Sequence, residues 1–111
     1  MLHIDQETNT VRLTRGDTGK LTISILNEDT GEPYYLRDGD TLTLTIKKSV
    51  KDETPLVQKV ADTANQIYIE PNDTKGLKFG SYIYDVQLDT SYGEVYTVIE
   101  PSTFEISREV T

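Results

Sequence analysis

The chain has no cysteine, no tryptophan, one histidine and one methionine. Without cysteine there is no disulfide to brace the fold, no thiolate nucleophile and no zinc–sulfur site. The histidine, His3, has no serine or cysteine partner close to it in the sequence, so the pattern offers no catalytic triad. Long apolar runs are missing too: no segment approaches the roughly 18 apolar residues that a membrane-spanning helix needs. Met1 to Asp5 has neither the basic start nor the apolar run of a secretory signal, and synthesis in the cytoplasm is the expectation. Basic residues are also scarce, 11 against 19 acids, for a net charge of −8. The acids are scattered along the chain, and such a surface repels nucleic-acid phosphate and anionic lipid, so neither is expected as a partner.

At 111 residues the length predicts a single domain, residues 1–111, with a modest core. The hydrophobic share of 35% is low for a globular chain, but threonine and tyrosine fill part of the gap, and both suit a half-buried pleated surface. Nearly every ordered segment alternates with a period of two. Val11 and Leu13; Leu21, Ile23 and Ile25; Leu42, Leu44 and Ile46; Ile67 and Ile69; Tyr82, Tyr84, Val86 and Leu88; and Val95, Thr97 and Ile99 each alternate with mostly polar neighbours, and Phe104 and Ile106 close the series. That is the pattern of strands with one face on a core and one in water. Leu56 to Val60 reads as a short edge strand. Turns are predicted over Arg15–Gly19, Asn27–Pro33, Asp38–Asp40 and Ser91–Gly93. Only Pro71 to Gly76 reads as helical, about one turn, with Asp73 as cap and Gly76 as stop. Seven to nine short strands of this kind predict an all-β fold, an antiparallel β-sandwich.

Arg15-Gly16-Asp17 spells an adhesion tripeptide, but glycine and aspartate equally serve a turn. Glu28, Asp29, Glu32, Asp38 and Asp40 offer oxygens to a hard cation, yet they lack the regular spacing of a calcium loop, and solvated turn acids are the plainer reading. The pairs Asp85 with Asp89 and Glu100 with Glu105 are carboxylates of the kind that flank a glycosidic bond. Asp85 and Asp89, however, share the polar face of a strand with Gln87. No cofactor is implied. Among surface residues the tyrosines stand out: Tyr34 and Tyr35 in a loop, Tyr92 in a turn, Tyr68 and Tyr96 on outward strand positions. Exposed tyrosines anchor protein interfaces or stack on sugar rings, and they also simply cover sheet surface. All five are candidate interface residues.

Asp73 to Leu88, with Gly80 two residues before Tyr82 and Tyr84 two after it, resembles the corner that enters a late strand of immunoglobulin-like sandwiches, with Tyr84 where a buried cysteine would stand. The order of segments goes further. Thr14-Arg15-Gly16-Asp17-Thr18 precedes Leu21-Thr22-Ile23. Gly39-Asp40-Thr41-Leu42-Thr43-Leu44-Thr45-Ile46-Lys47-Lys48 follows, then Gly80 to Leu88, and lastly Thr97 to Ile106. From about Val11 to Thr111 this is similar to small structural domains of tailed bacteriophages and of prophages in Gram-positive bacteria, in particular the amino-terminal domain of baseplate upper proteins. The resemblance implies an immunoglobulin-like antiparallel β-sandwich located in the virion, a non-enzymatic building block of a baseplate, tail tip or appendage. Its partners would be other phage structural proteins, with homo-oligomers in the assembly. The chain lacks the coiled-coil or receptor-binding part of multi-domain members, which favours an adaptor or decoration role. A carbohydrate-binding or adhesin module using the same tyrosines is the alternative expectation.

Overall fold

The structure is a computed structural model and describes residues 3–4, 9–27 and 29–108. Its elements are β1 (His3–Ile4), β2 (Val11–Thr14), β3 (Gly19–Thr22), β4 (Thr41–Lys47), β5 (Val57–Val60), β6 (Gln66–Ile69), α1 (Pro71–Lys75), β7 (Gly80–Asp89) and β8 (Val95–Ser107). Six strands form one sheet in the order β1-β2-β8-β7-β4-β5, and β3 pairs with β6 in a second. The fold is therefore all-β, as the alternation implies. Among the described residues no helix is long and apolar enough to cross a membrane.

Register converts the alternation into a core. Leu42 lies opposite Leu88, Leu44 opposite Val86 and Ile46 opposite Tyr84. Directly opposed residues share a sheet face, so these pairs stack apolar groups on one side. Phe104 opposes Tyr82, and Val11 and Leu13 run beside Phe104 and Ile106. From the small sheet, Leu21 and Ile67 face each other, and they join the same buried cluster with Ile23 and Ile69. The two-stranded sheet thus lies over the inner face of the six-stranded one. Tyr84 is at the centre, 1% exposed. Its ring meets Phe104 edge to face at 6.0 Å, and its hydroxyl donates to the Asn9 carbonyl at 2.5 Å. The neighbouring Tyr82 hydroxyl donates to the Lys78 carbonyl at 2.7 Å and pins the corner into β7.

Four features differ from the sequence expectation. The large sheet is mixed rather than antiparallel, because β2 pairs in parallel with β8. The turn after β2 carries the chain across to the other sheet, where Gly16 N–H donates to the buried Thr74 hydroxyl at 2.8 Å. With no hairpin formed, β2 is free to pair with the last strand in its own direction. Next, β8 is one continuous 13-residue strand through Pro101, with register shifts between Tyr84 and Val86 and between Val86 and Gln87. Two residues in excess on β8 restore the original parity, which places Tyr96, not Val95, on the face of Leu88. Tyr96 was expected to point outward. It remains 50% exposed. Lastly, Asp73 is not the helix N-cap. Glu70 takes that position, and Asp73 Oδ2 accepts the Glu70 N–H at 2.7 Å, while Lys59 Nζ lies 2.9 Å from the same oxygen.

Burial pushes the Tyr84 phenol up to about 12 from its ordinary 10.0. A raised folded-state value means that the folded chain holds the proton more tightly. The contribution is then complete below pH 10 and is lost as pH rises from 10 through 12, in total on the order of 2–3 kcal/mol. Urea melts across this range should show stability falling steeply. Tyr84→Phe should lose about 1–2 kcal/mol at pH 7, since the Asn9 carbonyl loses its donor, and its alkaline decline should be shallower. An equally steep decline in that variant would assign the effect to other groups.

Candidate functional site

Strand direction sorts the loops into two ends. Segments 23–40, 61–65 and 90–94 lie at the end where β4 and β8 begin and β7 finishes; 15–18, 48–56, 70–79 and 108 lie at the other. Tyr34, Tyr35, Tyr92 and Tyr96 all belong to the first end. Tyr68 does not: it sits on the outer face of β6 beside Lys20, its hydroxyl donating to Gln66 Oε1 at 2.8 Å.

Asp40 organises this end. Its Oδ2 accepts the Tyr34 hydroxyl and the Arg37 N–H, the latter at 3.0 Å, and its Oδ1 accepts the Ser91 N–H at 3.0 Å. One carboxylate therefore ties the 33–40 loop to the 90–94 turn, 51 residues away in sequence. Three donors stabilise the charged form, the Tyr34 hydroxyl most, and hold the Asp40 carboxyl below its usual 3.8. The same hydrogen bond raises the Tyr34 phenol above 10.0. Gly39 is required here. It has φ +89°, and a Cβ on it would stand 2.7 Å from the Ser91 Cβ.

Asn65 fixes the loop from the other side. It is 2% exposed and adopts φ +60°, a left-handed conformation that asparagine tolerates. Its side-chain amide donates to the Tyr34 carbonyl at 2.9 Å and its Oδ1 accepts the Leu36 N–H at 3.3 Å. Tyr34 is thus held at both ends and half-buried, and Arg37 lies 5.6 Å over its ring. Tyr35 and Tyr92 are left 62% and 81% exposed on this fixed frame. Tyr96 donates to Glu94 Oε2 at 2.7 Å, which raises its phenol. Between Ile23–Leu26 and Pro33–Tyr35 runs an open groove of about 250 Å³.

The other sequence candidates separate. Asp40 is a loop clamp rather than a solvated turn acid. Among the described residues no three metal-ligating side chains gather to hold an ion. Glu28 and the His3 side chain lie outside the described residues. Arg15 stacks on Phe79 at 4.3 Å and donates to the Leu77 carbonyl at 3.4 Å, so the tripeptide's arginine is engaged within the fold. Asp85 and Asp89 lie on the outer face of β7 with Gln87. The sequence reading missed Asp40 as a clamp and Asn65 altogether. An asparagine closing the Asp62–Asn65 turn is the one local signal that pointed to the latter.

The depressed Asp40 value has a definite pH sense. Its contribution is complete above pH 3.8 and is lost as pH falls through the lower folded-state value. The Ser91 amide resonance should therefore titrate with a midpoint below 3.8, and a midpoint at or above 3.8 would remove Asp40 as its acceptor. In Asp40→Ala the Ser91 amide should exchange with solvent roughly tenfold faster while amides of β4 and β7 stay protected. No protein-family model matches the chain, and a search of curated proteins finds none significantly similar to it.

Proposed function

We propose that this chain is a non-enzymatic structural domain of a phage or prophage virion that works by protein–protein contact through its tyrosine-bearing end. The observation that carries the reading is the Asp40 clamp: it ties two loops together, and Tyr35 and Tyr92 stand exposed upon them. Pre-ordered aromatic side chains give contact area at low entropic cost, which suits assembly. The segment-by-segment resemblance to baseplate domains supports the virion setting.

In the same reading the fold is an immunoglobulin-like sandwich. The order β8-β7-β4-β5 matches the G-F-C-C′ order of variable-type domains, and β3-β6 stands as the B–E pair. The Tyr82–Lys78 hydrogen bond supports it, since such domains carry a tyrosine corner at the start of strand F.

The test is mass spectrometry of particles purified after induction of the strain that encodes the chain. The tryptic peptide Leu21–Arg37 should be present in a fixed ratio to the capsid protein. Tyr35→Ala with Tyr92→Ala should lower incorporation about tenfold or more with the melting temperature unchanged. Capsid proteins without this peptide would overturn the virion setting. Glycan binding by the purified chain, lost in the double variant, would instead identify a carbohydrate-binding module.

A further inference from the structure

The two sheets end in β1, β5, β3 and β6. Of these, β1 is two residues long and β5 four. The outer edge of β6 is stopped by acids. Asp62 Oδ1 accepts the Gln66 N–H at 3.0 Å, the Asp62 N–H donates to the Gln66 carbonyl at 2.9 Å, and Asp73 Oδ2 accepts the Glu70 N–H at 2.7 Å. No such stop stands along β3. Ile23 N–H donates to the Asn65 carbonyl at 2.9 Å, the Ile25 carbonyl accepts the Tyr34 N–H at 2.8 Å, and Asn27 N–H donates to the Glu32 carbonyl at 2.9 Å. The odd residues from Gly19 to Asn27 therefore face the β6 side. Backbone groups alternate sides along an extended chain, so Lys20, Thr22, Ser24 and Leu26 turn theirs to the opposite edge. Among the described residues nothing pairs with them there. The turn after Asn27 folds back towards Glu32, away from this edge.

The segment along this edge is built to pair. Leu21-Thr22-Ile23-Ser24-Ile25-Leu26 has no charge, proline or glycine in a chain that is 27% charged, and its aliphatic and β-branched residues favour extended pairing. Edges are normally blunted by charge, proline or a covering element; here the one charge is Lys20, at one end. A row of free N–H and C=O groups is matched by another extended backbone, and the segment is its own complement. Antiparallel pairing about Ile23 sets Lys20 against Leu26, Thr22 against Ser24, Leu21 against Ile25 and Ile23 against its own copy. Every free residue of the edge is then bonded and no like charges stand opposite, whereas parallel pairing in register sets Lys20 against Lys20. The lysine stem also covers Leu26, which is 62% exposed. We propose that β3 pairs in this way with β3 of a second copy, making one continuous sheet in the order β6-β3-β3-β6. The contact is isologous: it uses the same edge on both copies, leaves neither free, and so stops at two chains. It goes beyond the tyrosine-end reading and does not depend on it.

Sedimentation and amide exchange test it together. In sedimentation velocity the average mass of the full chain should climb from one chain towards two as concentration approaches about 1 mM. Each chain carries a net −8, so added salt should strengthen the dimer by screening that repulsion. In the dimer the Thr22 and Ser24 amides should exchange about tenfold more slowly than in dilute solution, with those of Leu21 and Ile23 unchanged. Leu26→Lys sets a second cation opposite Lys20 of the other copy at both ends of the pairing, and should weaken association about tenfold. Adding Lys20→Glu to it turns repulsion into attraction and should restore the dimer, a rescue that follows from this register alone. The exchange measurement uses the unaltered chain, so it decides even where a variant fails to fold. A chain that stays monomeric at ~1 mM, dimers whose Thr22 and Ser24 amides exchange as fast as before, or a folded Leu26→Lys chain that associates like wild type would overturn the proposal. Tyr35→Ala with Tyr92→Ala should dimerise like wild type; loss of the dimer there would assign the contact to the tyrosine end and overturn the edge pairing.

Discussion

The structure depends on burying one face of β7 completely while a phenol lies within that face. Tyr82, Tyr84, Val86 and Leu88 all point into the core, and β7 lies between β4 and β8, so it has no free edge. A hydroxyl at the centre of such a face is costly unless it is bonded. The Asn9 carbonyl meets that need, and Asn9 leads directly into β2. The start of β2 is therefore constrained by the same atom that the core must satisfy. The parallel pairing of β2 with β8 is consistent with this constraint. Val11 and Leu13 then come to lie beside Phe104 and Ile106 and close that side of the core.

What the sequence made legible was local. Alternation in β4, β6 and β7 marked their inner faces correctly, because a period of two needs only neighbours to be read. The segment Leu56–Val60 lacks that clean alternation but reads as a short edge strand, and β5 does lie at the sheet edge. Three features were not legible, each because it depends on residues distant in the chain. The direction of β2 depends on where the Gly16 N–H finds Thr74, 58 residues on. The face of Tyr96 depends on register shifts against β7, which alternation within β8 alone does not reveal. The role of Asp40 depends on Ser91, so within its own turn it looks like any solvated acid.

The candidate site shows the same division. That tyrosines are candidates for contact follows from composition, and four of the five come together at one end of the sheets. Which of them are free to make contact does not follow from composition. Tyr34 is held by Asp40 through its hydroxyl and by Asn65 through its carbonyl, so it acts as an internal strut. Tyr35, next in sequence, is left outward by the same arrangement. Adjacent identical residues thus have opposite roles, separated by hydrogen bonds rather than by hydropathy.

Rigidity and asymmetry together narrow what such a domain can do. Loops tied at Asp40 and Asn65 move little on binding, so a partner has to fit the surface as it stands. At the other end, Thr74 anchors the first turn and Arg15 braces Phe79, so that surface is fixed as well. The two ends nevertheless differ: the tyrosine end exposes Asp29, Glu32, Asp38, Asp62 and Glu94 against Arg37, whereas the loops of the other end mix Arg15, Lys48, Lys51, Lys75, Lys78 and Arg108 with Asp17, Asp52, Glu53, Glu70 and Asp73. At Phe79 the local chemistry is specific: the Arg15 and Arg108 guanidiniums lie against an exposed aromatic ring that would otherwise be a plain apolar patch.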